Sequence, residues 1–590
     1  MSEQMTTAST VGIPNAGGTP KRRRGDEIGM AGKLILAGAA VVAIYLISVP
    51  LIFLLGTAFR GPADFLPFEP GSRWTLDNLW DVYLDPALYR SILPNTAIFA
   101  AGSVTITFVI AFTLAWLVER TDLPFRSAIF TAILFPLLVP TVVLAIAWTL
   151  LCAPNAGWVN VAIRGLFGVQ GPGPINIFTM PGLIICQGIA STPFVFLLLC
   201  AALRTMNPSL EEASNTSGAS PIVTFFKITL PVLRPGILAP LILATLLTLE
   251  QFDLPLIIGF PARVNVFTTR LFFDLNAEDQ LPKYGSAAAV ALLFLVIAIL
   301  LLALYNYMVR RAERYVTMTG KGYRPTRLKL GRWRAPALVF VGAYLTFAAV
   351  LPALVLLWTS LTGGVTWSEA TLSWTAYEKL TSDPRFWKAV VNTFIVAACS
   401  AGIATLVGAL ISWQILRTRF IGRNLLDFIS FLSIGIPSVI AGFAVMLLYL
   451  SLPIGVYGTI WILVLAYSYR IAVTTRLSRA ALMQIHAELE EASSISGAGW
   501  LDTIRRIVLP LMTPALLSSF LLLFMVGFRE FTIPMMLQSD DNWVLSVVMW
   551  RLQNDRQTGE AAAVGTLIVL FVIPIIFLMR RYLLAQQNND

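Results

Sequence analysis

One 26-residue stretch occurs twice in this chain, and it limits the fold more than any other feature. Residues 211 to 236 read EEASNTSGASPIVTFFKITLPVLRPG, and residues 490 to 515 read EEASSISGAGWLDTIRRIVLPLMTPA. Glu212, Ala213, Gly218, Ile228, Leu230, Pro231 and Pro235 return 279 positions later as Glu491, Ala492, Gly497, Ile507, Leu509, Pro510 and Pro514. Each copy reads as a short polar helix, then a glycine that lets the backbone turn with positive φ, then a second amphipathic helix. Prolines follow where a hydrophobic span begins. The pattern is that of a compact helix-turn-helix placed between membrane spans.

Composition agrees with a membrane setting. Of the 590 residues 57% are hydrophobic and 13% charged, with a mean hydropathy of +0.76, whereas soluble domains carry roughly a quarter charged residues. Cys152, Cys186, Cys200 and Cys399 lie in or beside apolar runs without CxxC spacing and read as packing residues. The single histidine, His486, reads as a solvated residue ahead of the second repeat, and its isolation removes most metal-site and general-base chemistry. There is no GxxxxGK[ST] stretch to cradle a nucleotide, and no paired nucleophile and base. The chain is not expected to be an enzyme or to hold a cofactor.

Candidate spans fall at about 34–59, 95–117, 128–152, 180–203, 237–260, 285–308, 335–359, 391–413, 426–451, 458–475, 513–536 and 561–579. Each holds roughly 20 mostly apolar residues, enough to cross about 30 Å of hydrocarbon as helix. The first run is too long for a signal-peptide core and reads as a retained helix. Threading the chain through these spans puts 28 Lys and Arg on one side, 12 on the other and 2 within spans. By the positive-inside rule the first side is the cytoplasm, and both termini and both repeated loops lie there. The net charge of +10 thus orients the chain and implies no nucleic-acid partner.

The repetition reaches beyond the loops. Asn95-Thr96, Trp116, Arg120-Thr121 and Pro140 recur 297 positions later as Asn392-Thr393, Trp413, Arg417-Thr418 and Pro437, with Asp85-Pro86 echoed in Asp383-Pro384. The change of offset from 297 to 279 locates 18 extra residues in the first half, within the Gly- and Pro-rich stretch 153 to 179, read as an external loop or re-entrant turn. The expected architecture is an all-α polytopic membrane protein of about 12 transmembrane helices in two parallel six-helix repeats. Its divisions are a disordered tail at 1–32, repeats at 33–309 and 335–579, a basic linker at 310–334 with nine Lys and Arg, and a tail at 580–590.

The spacing Glu-Ala-Ser, three residues, Gly, nine residues, Ile-x-Leu-Pro closely resembles the EAA loop of permease subunits of ATP-binding-cassette importers. Ser214 and Ser493 stand where that family usually has Ala. The resemblance covers most of the chain after residue 34. It implies a type I importer permease fold, with the two halves fused into one chain as in ferric-iron, thiamine, polyamine and aminoethylphosphonate importers. It further implies two copies of a separate ATP-binding subunit that hold ATP and Mg, an extracytoplasmic substrate-binding protein, and residence in a bacterial cell (inner) membrane. Ferric iron is the first expectation for the cargo, with the other three as rivals. The loop residues expected to couple to the ATPase are Glu211, Glu212, Ala213, Gly218, Glu490, Glu491, Ala492 and Gly497; alternatively the carboxylates only favour helix N-termini or solvate the surface.

Polar residues inside spans mark the expected path, because ionisable groups in lipid are costly. The fifth span carries Glu250, Gln251 and Asp253 ahead of Pro255, and the eleventh carries Arg529, Glu530 and Thr532 ahead of Pro534, at the 279 offset. Glu250 and Arg529 occupy equivalent positions with opposite charge and could pair across a pseudo-twofold axis; they could equally sit in separate pairs or snorkel. Arg470 reads as a snorkelling anchor near the cytoplasmic end of the tenth span. A secondary transporter of the major-facilitator type also has twelve spans in two halves, but the segment Glu119-Arg120-Thr121-Asp122-Leu123-Pro124 does not match its signature loop. A membrane scaffold without transport predicts no duplicated loop.

Overall fold

In lipid every backbone N–H and C=O must be satisfied within its own segment, so apolar runs of this length can only be helices. The computed structural model describes residues 28–67, 69–168, 170–205, 209–276, 281–313, 327–363 and 371–587. Most of the tail expected at 1–32 and the middle of the 310–334 linker fall outside those residues. Among the described residues the named strands are the antiparallel pair Arg60–Gly61 and Arg73–Trp74. All other regular structure is helical.

Seven helices are each long and apolar enough to cross a membrane, among them Met30–Ala58, Met180–Arg204 and Pro384–Arg417. Counting each of three bent pairs as one span raises the number among the described residues to ten. The ninth and twelfth expected spans correspond to shorter apolar helices, Ser438–Ser451 and Thr558–Pro574. The expected span 426–451 is split between helices Arg423–Leu432 and Ser438–Ser451, with Pro437 at the start of the second piece. Its counterpart in the first half breaks the same way: Arg126–Leu138 and Thr141–Cys152 meet at 95°. The cause is local, since Val139 is extended, with φ −79° and ψ 133°, ahead of Pro140. At the other end, residues 580–587 continue the helix Thr558–Gln587.

The two halves embrace. Helix Met30–Ala58, which opens the first half, packs on Ser438–Ser451 of the second, and Leu351–Thr362, near the start of the second half, packs on Thr141–Cys152 of the first. The phenols of Tyr45 and Tyr449 hydrogen-bond across this junction at 2.7 Å. Within the first half, Leu93–Arg120 lies close against Met180–Thr205. A Cβ at Gly188 would come within 2.5 Å of Ile106, so a small residue lets these backbones approach.

The recurring Asn-Thr pairs have a structural use. Thr96 Oγ1 accepts from the N–H of Phe267 at 3.2 Å, and Thr393 Oγ1 from the N–H of Leu545 at 2.9 Å, each at the first residue of a short helix. Asn95 and Asn392 donate to the backbone just ahead of those helices, at Asn265 and Trp543. A first-turn N–H left without a helical partner is thus satisfied in both halves.

The inter-half linker returns to the first half before it enters the second. Leu328 N donates to Arg120 O at 3.0 Å and Asp122 N donates to Leu328 O at 3.1 Å. Asp122 then accepts from Leu330 N and from Arg334, both at 2.8 Å. The Leu330 amide, helped by the Arg334 guanidinium, holds the Asp122 carboxyl below its ordinary range. The second half has Arg419 at the position equivalent to Asp122, so the clasp forms on one half alone.

Replacing Asp122 by Ala removes the acceptor for Leu330 and Arg334. Amide hydrogen exchange at Leu328 and Leu330, followed by mass spectrometry in detergent, is expected to rise at least about tenfold while exchange in the spans stays unchanged.

Candidate functional site

The repeated loops fold as two helical hairpins. In the first, helix Ser209–Thr216 is followed by Pro221–Thr224; in the second, Ala487–Ile495 is followed by Trp500–Thr503. Gly218 and Gly497 sit at the turns with φ of +81° and +84°, and a Cβ on either would meet nothing within 4 Å. The requirement for glycine is therefore backbone conformation and not space. Ala213, Ala492, Gly218, Gly497 and Glu491 are exposed; the side chain of Glu212 lies outside the described residues.

Glu211 and Glu490 face inward. Arg120, only 5% exposed, makes an ion pair with Glu211 at 3.4 Å and donates to Leu203 O at 2.9 Å. Arg417 pairs with Glu490 at 2.8 Å and donates to Leu482 O at 3.1 Å. Leu203 and Leu482 are themselves 279 positions apart, so the same arginine, glutamate and carbonyl meet in both halves. Glu211 and Glu490 are thus engaged within the fold: each fastens its hairpin to the end of a long membrane helix. The recurring Arg-Thr pair was visible in the sequence, but its role was not.

The serines that replace alanine also have partners. Ser214 bonds Thr224, and Ser493 bonds Thr503, at 2.9 Å in both cases. Each hydroxyl pair staples the two helices of a hairpin. The edge of Trp500 meets Trp413 with centroids 5.4 Å apart, a further tie in the second half.

Further along the chain, both hairpins lead into helices that stop short. Leu230–Leu249 and Leu509–Phe528 end just before Glu250 and Arg529, so the spans 237–260 and 513–536 are each interrupted. Pro255 stands at the first position of the segment Pro255–Gly259, where a missing N–H is harmless, so the interruption precedes the proline. The breaks bring equivalent residues face to face. Phe252 stacks on Phe531 at 6.1 Å, and Thr532 donates to Asp253 at 3.1 Å. The pseudo-twofold axis passes between these pairs.

Charges surround this point. Arg470 reaches Glu530 at 2.5 Å and Ser438 at 2.7 Å. It lies at the break between Ile460–Tyr467 and Ile471–Gln484, because the tenth span runs on to residue 484 and not to 475. Arg470 is therefore a half-buried ion-pair partner and not the snorkelling anchor expected from the sequence. Arg529 donates to Leu137 O in the other half. Among the described residues no ion pair joins Glu250 to Arg529. Gln251 contributes its backbone carbonyl to Thr268 at 2.9 Å.

A cavity of about 1080 Å³ opens between the halves, on the side of this polar belt away from the hairpins. Leu256 and Met535, each three residues past Asp253 and Thr532, line it, and Phe272 links its wall to Phe252 at 5.3 Å. Trp158 and Val161 also line it. They belong to the inserted stretch 153–179, where residues Trp158–Phe167 form a helix rather than a plain loop. Asn160 secures that insertion, donating to Ala153 O at 2.9 Å and Ile175 O at 2.6 Å.

The model of the family described as "Binding-protein-dependent transport system inner membrane component" matches the chain twice, at 111–314 and 404–586. The ferric transport system permease protein FbpB of Actinobacillus pleuropneumoniae is 29% identical over 504 residues, covering 82% of this chain and 70% of that protein. The Fe(3+)-transport system permease protein FbpB 2 of Haemophilus influenzae is 24% identical, covering 68% and 76%. The spermidine/putrescine transport system permease protein PotC of the same organism is 26% identical but covers only 38% of this chain.

Arg470→Ala leaves the Glu530 carboxylate buried without its cation, a change expected to cost about 3–5 kcal/mol. Thermal unfolding in detergent should show a large loss for the single variant and a smaller one for Arg470→Ala with Glu530→Ala. At the hairpins, Glu211→Ala and Glu490→Ala each remove a charge-assisted bond worth about 1.5–3 kcal/mol. The effects should be similar in the two halves and additive, because the two pairs share no partner.

Proposed function

Because the chain belongs to the family of binding-protein-dependent transport system inner membrane components, we propose that it forms the membrane path of an ATP-driven importer. The observation that carries this reading is the pair of hairpins, each bolted through Arg120–Glu211 or Arg417–Glu490 to a membrane helix. A lever fixed at one end transmits a push. Exposed Ile495, Leu501 and Glu491 in the second hairpin, and Val223 and Phe226 in the first, offer the surface on which an ATP-binding subunit docks.

Two copies of that subunit, one per hairpin, hold ATP and Mg and supply the energy. A substrate-binding protein delivers cargo to the cavity from the opposite face. Both termini and both hairpins lie in the cytoplasm, following the excess of Lys and Arg on that side, and the membrane is the bacterial inner membrane. The repeats 33–309 and 335–579, joined by the linker 310–334, are the two permease units. The interrupted helices at Phe252–Asp253 and Phe531–Thr532 form the barrier that separates the cavity from the cytoplasm. Glu250, Gln251, Arg529 and Glu530 border it.

The cargo is ferric iron. Support comes from the relatives named for ferric transport, which match over most of both chains, whereas the spermidine/putrescine relative aligns with little more than a third of this one. Thiamine, a polyamine and 2-aminoethylphosphonate are the rival cargoes.

The test is uptake into proteoliposomes holding this chain and its ATPase, with the binding protein loaded in turn with each of the four cargoes. ATP-dependent entry of iron alone is expected, lost when Gly218 and Gly497 are both replaced by Leu in a complex that still assembles. Entry that ignores ATP and follows an imposed proton gradient overturns the reading.

A further inference from the structure

The two halves are entered in the same way. Pro50, Leu54 and Thr57 of helix Met30–Ala58 return 302 positions later as Pro352, Leu356 and Thr359, and at that offset Ile28-Gly29 matches Leu330-Gly331. Each of these dipeptides sits against the half to which its own helix does not belong. Leu330 shares an apolar cluster with Trp116, Leu203 and Leu233. Ile28, only 7% exposed, shares one with Trp413, Leu482 and Met512, the equivalent residues of the second half. The approach there is close, since a Cβ at Gly32 would come within 2.7 Å of Trp500 in the second hairpin. Helix Met30–Ala58 then packs on Arg423–Leu432, as Arg334–Leu345 packs on Arg126–Leu134.

In the first half the chain just ahead of Leu330 takes part in the contact: Leu328 lies parallel to Thr121, bonded to the Arg120 carbonyl and the Asp122 amide. The equivalent edge of the second half, Arg417-Thr418-Arg419, is open. Among the described residues neither the Arg417 carbonyl nor the Arg419 amide has a hydrogen-bond partner, and the exposed Arg419 guanidinium makes no ion pair. Such an edge accepts a strand. Charge identifies which one. The first clasp sets an acid on the body, Asp122, against a base on the entering segment, Arg334. In the second half the body carries the base, Arg419, and the entering segment reads Asp26-Glu27-Ile28. At the 302 offset Asp26 takes the place of Leu328, as Thr418 at 297 takes that of Thr121.

We infer that residues 24–27 dock as a short parallel strand on Arg417–Arg419, with Asp26 and Glu27 against the Arg419 guanidinium. The Asp122 clasp belongs to one half alone, and this is its counterpart of opposite charge. No connecting length is needed, because Ile28, the next residue, is already in place. The backbones of Arg120 and Arg417, whose side chains anchor the hairpins, are then both gripped by chain that leads into the opposite half. The reversal also keeps each segment off the other's edge, since Asp26 would meet Asp122 there and Arg334 would meet Arg419.

The test is disulfide trapping in the full chain in native membranes. Thr121→Cys with Leu328→Cys reports the clasp already described, Thr418→Cys with Asp26→Cys the one inferred, and Thr418→Cys with Ser9→Cys a chance encounter. Facing residues of paired strands lie within the roughly 4.4–6.8 Å that a disulfide spans. Closure from Asp26 is expected to match the first-half pair and to exceed Ser9 at least about tenfold, because docking raises effective concentration above that of a tether. In the chain without added cysteines, Arg419→Glu should raise amide exchange over residues 24–28 by about twofold to fivefold, as loss of an exposed ion pair predicts, and adding Asp26→Lys with Glu27→Lys should reverse it. Closure from Asp26 no faster than from Ser9, while Thr121 and Leu328 close, overturns the inference. A disulfide joining two copies of the chain overturns it too, and assigns the edge to a neighbour. Exchange that ignores Arg419→Glu does the same to the charge pairing.

Discussion

The ion pair between a buried arginine and a hairpin glutamate is the interaction on which the mechanics depend. A hairpin at the membrane surface has little apolar area of its own to bury, and isolated short helices are marginal in water. Arg120 and Arg417 solve this by reaching from the ends of Leu93–Arg120 and Pro384–Arg417 to a carboxylate and a backbone carbonyl at once. One guanidinium therefore ties together the long helix, the helix that leads into the hairpin and the hairpin itself. The fork geometry of arginine permits this triple contact, which a lysine could not hold in one plane. Displacement of the hairpin must then move the membrane helices.

Where that displacement would be felt is set by the interrupted helices. An unbroken span resists bending through its hydrogen-bond ladder, whereas here the helix is broken at Gln251–Phe252 and at Glu530–Phe531. The freed backbone and the charges nearby are tolerable only because they are enclosed by protein. Arg470, Arg529, Glu530, Ser438 and the Leu137 carbonyl satisfy one another across elements that are far apart in sequence. The embrace of the halves, with each opening helix packed on the broken span of the other, keeps this belt closed.

Much of this was legible in the sequence. The duplication, its two offsets, the glycine turns and the apolar runs are all local properties, and local properties survive into the structure. The Asn-Thr and Arg-Thr pairs could be found by self-comparison, but their partners, Phe267, Leu545, Glu211 and Glu490, are a tertiary matter. Arg470 was misread because its span was ended at Thr475, ahead of Arg476, while the helix continues to Gln484. The spans 237–260 and 513–536 are interrupted after Leu249 and Phe528, ahead of the prolines, and apolar composition alone does not show where a helix stops. The helix in the 153–179 insertion was hidden by flanking Gly and Pro, although Trp158–Phe167 itself has ordinary helical composition. The cavity, built from both halves, has no sequence signature at all.

The meeting of Asp253 with Thr532 has an implication for how such a chain arises. In a dimer of identical subunits, whatever residue stands on the twofold axis must face itself, and an aspartate there would confront a second aspartate at close range. Like charges so placed repel, and one of them would have to be neutral. Joining the subunits in one polypeptide removes that constraint, because the two positions can mutate separately. A carboxylate opposite a hydroxyl is a solution open only to unlike halves, so fusion or heterodimerisation had to come before the present chemistry of the barrier.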